Sequence, residues 1–178
     1  WFFEIDRTTA VAEIDHAMKC RYNGMGWQCL QDRPPLDQYA DIASQGVMDE
    51  LRKRDMFLHG PAHSFSLFLP NEHFESHPEW FGFRDGARRP QVFGGSQFCW
   101  SNADARKVFA DNVEQFVLAA PELKILCTLG FDGGKCCECP RCLESTPANL
   151  VVQLMNELAE RLRDRAPHVI VETSGGYA

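Results

Sequence analysis

Residues 123–129 read Leu123-Lys124-Ile125-Leu126-Cys127-Thr128-Leu129, and behind them come Asp132-Gly133-Gly134 and the thiol-rich run Cys136-Cys137-Glu138-Cys139-Pro140-Arg141-Cys142. A short apolar run bounded by turn residues reads as a buried strand. The Asp-Gly-Gly turn ends that strand, and thiolates crowded at this spacing share a metal or a bridge. In proteins that alternate strands and helices, the carboxyl end of a parallel strand is where the chemistry sits. The function of this chain is therefore to be sought around residues 130–142.

The alternation continues in both directions. Upstream, residues 8–19 carry Val11, Ile14 and Met18 at helical spacing behind a Thr8 or Thr9 cap, and residues 21–27 form a short strand. Pro34-Pro35 breaks the chain before a helix over 37–54, whose stripe is Tyr39, Ile42, Ala43, Val47 and Leu51. A strand at 56–59 follows. Residues 60–100 are a long connection holding Phe65, Phe68, Phe74, Trp80, Phe81, Phe83, Phe93, Phe98 and Trp100, too aromatic for a solvated linker and expected to pack as a lid. A capping-box-like start at 101–104 opens a helix with Phe109, Val113, Phe116, Val117 and Ala120 on its buried face, ended by Pro121. Downstream, Thr146-Pro147 caps the clearest helix, with Leu150, Val151, Leu154, Met155, Leu158 and Leu162 in repeat, and a last strand lies at 169–172.

Strands alternating with helices imply an α/β fold with a parallel sheet and right-handed crossovers, either doubly wound or part of a (β/α)8 barrel. A complete barrel takes about 250 residues. With about four βα units and a long aromatic-rich connection after the second strand, the 178-residue chain is expected to be one domain, a partial (β/α)8 TIM-type barrel whose remaining strands come from a longer protein.

Composition narrows the function. At 44% hydrophobic and 24% charged the chain is an ordinary globular one. A net charge of −7, from 18 basic and 25 acidic residues without a basic cluster, argues against a nucleic-acid partner. No apolar run is long enough for a membrane span. The chain opens on Trp1-Phe2-Phe3 without a methionine or a signal-like segment, as a processed or excised piece would, so its compartment stays open, with secreted or periplasmic locations among the options.

Four of the eight cysteines fall between Cys136 and Cys142. Cys137, Cys139 and Cys142 supply three thiolates from one loop, and tetrahedral zinc takes four ligands. Cys136 is too close to Cys137 along the backbone to share the ion, so Cys99, at the end of the aromatic connection, is the candidate fourth ligand of a structural zinc site. Buried free thiols, a single disulfide, or an iron–sulfur centre are the other readings. Cys20, Cys29 and Cys127 read as core or surface thiols.

The ordered combination His77-Pro78-Glu79-Trp80-Phe81, Arg84-Asp85-Gly86, Gln97-Phe98-Cys99-Trp100-Ser101-Asn102, Asp132-Gly133-Gly134 and Cys137-x-Cys139-x-x-Cys142 resembles DUF4838, a bacterial domain of unknown function, from about Gly60 to the end. The resemblance implies a glycoside hydrolase-like TIM barrel, similar to those of α-glucuronidases and β-hexosaminidases. The cysteines also resemble those of family forty-two β-galactosidases, where a cysteine precedes Cys-x-Cys-x-x-Cys by some forty residues after the fourth barrel strand. Those enzymes carry a glutamate acid just before the cysteines, whereas this chain has Asp132.

Glycosidic cleavage uses two carboxyl groups, one protonating the leaving oxygen and one attacking or activating water. Asp132, on the glycine turn, is the first candidate, with turn capping as its plain alternative. Glu172, at the end of the last strand, is the second, unless alternation turns it outward. His59 and His63 can bind sugar hydroxyls, and Trp27 and Trp100 can offer ring faces to a pyranose. The leading expectation is a glycosidase acting on a polysaccharide or glycoconjugate. A non-catalytic carbohydrate-binding or scaffold barrel, and a thiol redox or iron–sulfur protein, are the alternatives.

Overall fold

The computed structural model describes residues 6–31 and 33–174. The chain runs α1 (Arg7–Lys19), β1 (Gly24–Gly26), α2 (Pro35–Ser44), α3 (Val47–Lys53), β2 (Phe57–Gly60), α4 (Phe65–Phe68), β3 (Phe83–Arg84), β4 (Ala87–Arg88), α5 (Ala103–Ala119), β5 (Leu123–Cys127), α6 (Pro140–Leu143), α7 (Pro147–Leu162) and β6 (Ile170–Glu172). Strands β1, β2, β5 and β6 lie side by side in that order, all parallel, and β3 with β4 forms a small antiparallel hairpin.

Local sequence explains most of the helix boundaries. In α7 the Thr146 side chain accepts the Asn149 N–H at 3.2 Å, Pro147 occupies the first turn, and the six apolar residues read from the sequence are all buried. Asn102 caps α5 by accepting from Ala105 N at 2.9 Å. Two of the expected helices differ in the structure. The cap of α1 is Asp6, which takes Thr8 N and Thr9 N at 2.8 and 3.2 Å. The helix then buries Ala10, Ile14 and Ala17, while Met18 is exposed. The single helix expected over 37–54 is two, because Gly46 sits at φ +77°, a left-handed conformation that ends α2 and re-aims α3.

The sheet has two unlike faces. Leu58 and Leu126 are fully buried on the face that receives the helices, and the Thr128 hydroxyl donates to the Met155 sulfur of α7 at 2.8 Å on that side. The helices form a continuous layer there, α1 on α3, α3 on α2, α2 on α5 and α5 on α7. By period-two alternation, the other face carries Phe57, His59, Ile125, Cys127, Ile170 and Glu172. Ile170 on that face is exposed. Inward side chains fill the interior of a closed barrel, so four parallel strands with helices on one face and an open inner face make a partial (β/α)8 barrel.

The aromatic connection packs as core. Phe65, Phe68, Phe98 and Phe109 meet at ring-centroid separations of 5.4–5.9 Å, mostly edge to face, and such pairs contribute roughly 0.5–1.5 kcal/mol each beyond their area. The rings tie α4 and the end of the connection to α5, and the bonds Leu129 N to Ala62 O at 2.9 Å and Ser64 N to Leu129 O at 3.0 Å tie its start to the chain leaving β5. The carboxyl end of the sheet is where the candidate site lies.

Candidate functional site

Two loops meet beyond the carboxyl ends of the strands. The aromatic connection returns through Gly82 N to Gln97 O at 2.8 Å and Cys99 N to Trp80 O at 2.7 Å, while the loop after β5 is tied to it by Gln97 N to Lys135 O at 3.2 Å. This backbone lacing brings Cys99 over the cysteine loop. Cys139 lies just before α6 and Cys142 within it, with Pro140 in the first turn, so the i, i+3 spacing turns both sulfurs to one side.

Cys99 Sγ lies 3.7 Å from Cys139 Sγ and 3.7 Å from Cys142 Sγ. All four sulfurs, that of Cys137 included, fall within 4.8 Å of one another, on residues 2–6% exposed. Sulfurs bound at about 2.3 Å to one tetrahedral ion stand about 3.8 Å apart, so the donor set fits a metal. Every cysteine is a free thiol. Cys136 lies outside the cluster, and its carbonyl accepts from Arg84 Nη1 at 3.3 Å.

Hydrogen-bond donors and one cation surround the sulfurs. Phe83 N–H donates to Cys137 Sγ at 3.3 Å, and Arg88 Nη1 stands 3.6 Å from the same sulfur. Ser101 Oγ is 3.1 Å from Cys142 Sγ and 3.4 Å from Cys99 Sγ. Hydrogen bonds from Cys137 and then Cys142 hold the Cys99 thiol far below its ordinary range, against the opposing effect of burial. The counterpart bonds, from Cys137 and then Cys99, push Cys142 up. Burial works against the charge of Arg88, yet the sulfurs, Cys99 first, outweigh it and hold that guanidinium's pKa up. A metal ion entering such a cluster replaces the shared protons.

On the rim beside the cluster, Asp132 occupies the turn after β5 with its side chain 63% exposed, and its Oδ1 lies 3.7 Å from His63 Nε2. His63 Nδ1 is 2.6 Å from Gly130 O, so that nitrogen carries the proton and Nε2 faces the carboxylate. Next to them is a groove of about 480 Å³ lined by Gln31, Arg33, Asn71, Glu72, Phe93 and Phe131. Phe93 and Phe131 pack at 4.3 Å, and Phe93 is exposed. Both rings precede Gly-Gly turns with positive φ at Gly94 and Gly133, and Gly94 N donates to Asp132 O at 3.1 Å. The repeated Phe and Gly-Gly pairing was the sequence signal for this groove, which residue-by-residue reading missed.

On the inner sheet face, His59 Nε2 and Glu172 Oε2 are 2.9 Å apart, with Cys127 Sγ within 4.8 Å of both. Glu172 faces inward rather than into a helix contact. Cys127, read from sequence as a core or surface thiol, stands between them. Burial, with the charge of Glu172 second, pushes its thiol up to about 12.

Trp27 and Trp100 are a correction. They are 3% and 2% exposed, Trp27 against Tyr39 and Phe116 at 6.3 and 5.9 Å and Trp100 against Phe65 at 6.1 Å. Their ring faces are covered by protein, because large aromatic area is worth more in a core than on a rim. Neither offers a face to a sugar.

Comparison with known structures places the fold. The GH36 α-galactosidase AgaB of Geobacillus stearothermophilus superposes with a TM-score of 0.62 at 13% identity, over 96% of this chain and 26% of that one. The β-galactosidase of Rahnella sp. R3 gives 0.57 at 14% identity, over 94% and 33%. A debranching enzyme of Nostoc punctiforme gives 0.53 at 13% identity, over 92% and 37%. The chain thus spans 26–37% of the length of these structures. No curated protein matches it. Among the described residues no helix is long and apolar enough to cross a membrane. A family model described as Domain of unknown function (DUF4838) matches residues 9–177. Its fold is that of a partial (β/α)8 barrel such as these structures contain, and with the family match along nearly its whole length the chain belongs to the DUF4838 family.

Proposed function

We propose that the chain is part of a carbohydrate-cleaving barrel, acting on glycosidic bonds of a polysaccharide or glycoconjugate, with a structural zinc ion in the four-cysteine cluster. One observation carries the catalytic reading: Asp132, on a glycine turn beyond a parallel strand, faces His63 Nε2 at 3.7 Å beside an aromatic-floored groove. Asp132 is then the proton-transferring carboxyl group, and a proton held on Asp132 or on His63 Nε2 is what joins the pair. Phe93 and Phe131 supply the apolar surface expected of a pyranose subsite, and Gln31 and Asn71, held by hydrogen bonds with His63, Ser66 and Gln91, shape its polar edge. Glu172, engaged with His59, is better suited to holding than to proton transfer, so the second carboxylate of the pair is to be sought on strands beyond these four.

Zinc suits the cluster because the sulfurs stand at tetrahedral-edge spacing around a single ion. A cubane cluster puts its own iron and sulfide atoms between the ligands and holds them well out of contact. Four thiolates leave no open position, so this ion pins the cysteine loop to the aromatic connection and keeps the turn of Asp132 in place.

The test is a screen of the intact protein against polysaccharides and aryl glycosides, together with Asp132→Asn. Release of reducing ends that falls by about 10²-fold or more in the variant, with an unchanged circular dichroism spectrum, is the expected result. Unchanged turnover removes Asp132 from the mechanism. Glycan binding without any cleavage by the native protein moves the assignment to a carbohydrate-binding or scaffold barrel.

A further inference from the structure

We infer that His59, Cys127 and Glu172 form a second metal site, separate from the four-cysteine cluster, which takes a divalent ion of the zinc class and leaves one coordination position open toward the barrel interior. The three side chains come from three adjacent strands, β2, β5 and β6. Neighbouring strands lie about 4.8 Å apart, so His59 and Glu172 start two strand spacings from each other. They nevertheless meet at 2.9 Å above the strand between them, with the Cys127 sulfur within 4.8 Å of both.

An irregularity in the sheet produces this arrangement. Leu58 pairs with Leu123, but His59 pairs with Ile125, so Lys124 is an extra residue on β5. An unbroken register would set His59 beside Lys124 and turn Cys127 to the helix side. The bulge moves Cys127 onto the face of His59, and direct pairing of Cys127 with Glu172 adds the carboxylate to that face.

The donors are one imidazole nitrogen, one thiol sulfur and one carboxylate oxygen, the types that zinc accepts. Nitrogen and oxygen ligands on one tetrahedral ion stand about 3.3 Å apart. Glu172, 48% exposed, therefore has to give by only a few tenths of an ångström. Three protein ligands with an open fourth position make a site that can bind a water or a substrate oxygen. The closed four-sulfur cluster cannot do so. This inference does not depend on the role of Asp132, which lies on the rim loop.

The experiment is zinc analysis of the intact protein after loading and exhaustive dialysis, with His59→Ala and Glu172→Gln alongside. Each variant is expected to hold one equivalent less than the native protein. On cobalt(II) substitution, the variants should lose one set of visible bands while the intense thiolate charge transfer of the four-sulfur site persists. That persistence, with unchanged circular dichroism, shows that the variants are folded. Glu172→Gln changes a half-exposed side chain and guards against misfolding of the His59 variant. Equal zinc content and superimposable cobalt spectra in native and variant proteins would overturn the site. Loss of ion from the cysteine cluster alone would sink the structural-zinc reading and leave this one standing.

Discussion

Cys99→Ser is the perturbation whose cost the structure allows to be worked out. Cys99 and Cys139 are 40 positions apart in sequence, and their sulfurs lie 3.7 Å apart. A metal ion tying them closes a loop of that length, and the chain-entropy treatment of a cross-link over such a loop gives about 4 kcal/mol at 25 °C. In a domain of this size each kcal/mol moves the melting temperature by about 2–4 °C, so the tie is worth about 8–16 °C. Three thiolates would remain on the ion in the variant, but they all come from residues 137–142 and no longer hold the aromatic connection. The assay is thermal unfolding of the intact protein followed by circular dichroism, with and without a strong chelator. Native protein should lose at least this margin on chelation. Cys99→Ser should start low and respond little, and Cys136→Ser, outside the cluster, should behave as native. A Cys99→Ser protein that melts with the native one, or keeps the full chelator response, would refute the claim that an ion joins the two loops.

Three further outcomes follow from particular contacts. Arg88→Met removes the guanidinium that stands 5.5 Å over the Phe83 ring and 3.6 Å from Cys137 Sγ, and metal affinity measured against a chromophoric chelator should fall about 10–100-fold. Glu114 joins α5 to α7 through Arg161 Nε at 2.8 Å and to Arg165 just beyond that helix, and although burial opposes its charge, Arg161 and then Arg165 bring its pKa below the ordinary 4.5. The stabilisation is therefore fully present above about pH 4.5 and lost as pH falls through the lowered value, so Glu114→Gln should lower the urea midpoint at pH 7 and flatten its decline in acid. Gly46→Ala meets no crowding nearer than 3.5 Å but inherits φ +77°, and should lower stability by roughly 1–2 kcal/mol with an unchanged denaturant slope.

The parts of the fold that were legible in the sequence share one property: the signal and its partner lie a few residues apart. Thr146, Pro147 and the six apolar residues of α7 specify that helix wherever it packs, and Asn102 does the same for α5. Gly46 was legible in principle, yet the apolar stripe ran through it, and only the positive φ shows that the helix breaks there. The aromatic connection was recognisable as packed but not as core, since nothing local says that Phe98 will meet Phe65 and Phe109. For the same reason Trp27 and Trp100 passed for ring platforms, when their partners Tyr39, Phe116 and Phe65 lie 12 to 89 residues away.

Strand and helix order, the parallel sheet they imply and the bunching of Cys137, Cys139 and Cys142 were determined by the sequence alone, because propensity, capping and ligand spacing act over a turn or two of chain. Tertiary structure alone decided that Cys99 stands 3.7 Å from Cys139 and Cys142, that Phe93 meets Phe131 beside Asp132, and that Cys127 faces His59 and Glu172. The last turns on a single extra residue, Lys124, in the pairing of β2 with β5. Side chains alternate along a strand, so a register shift of one position, settled by packing across the sheet and not by local sequence, selects which residues share a face.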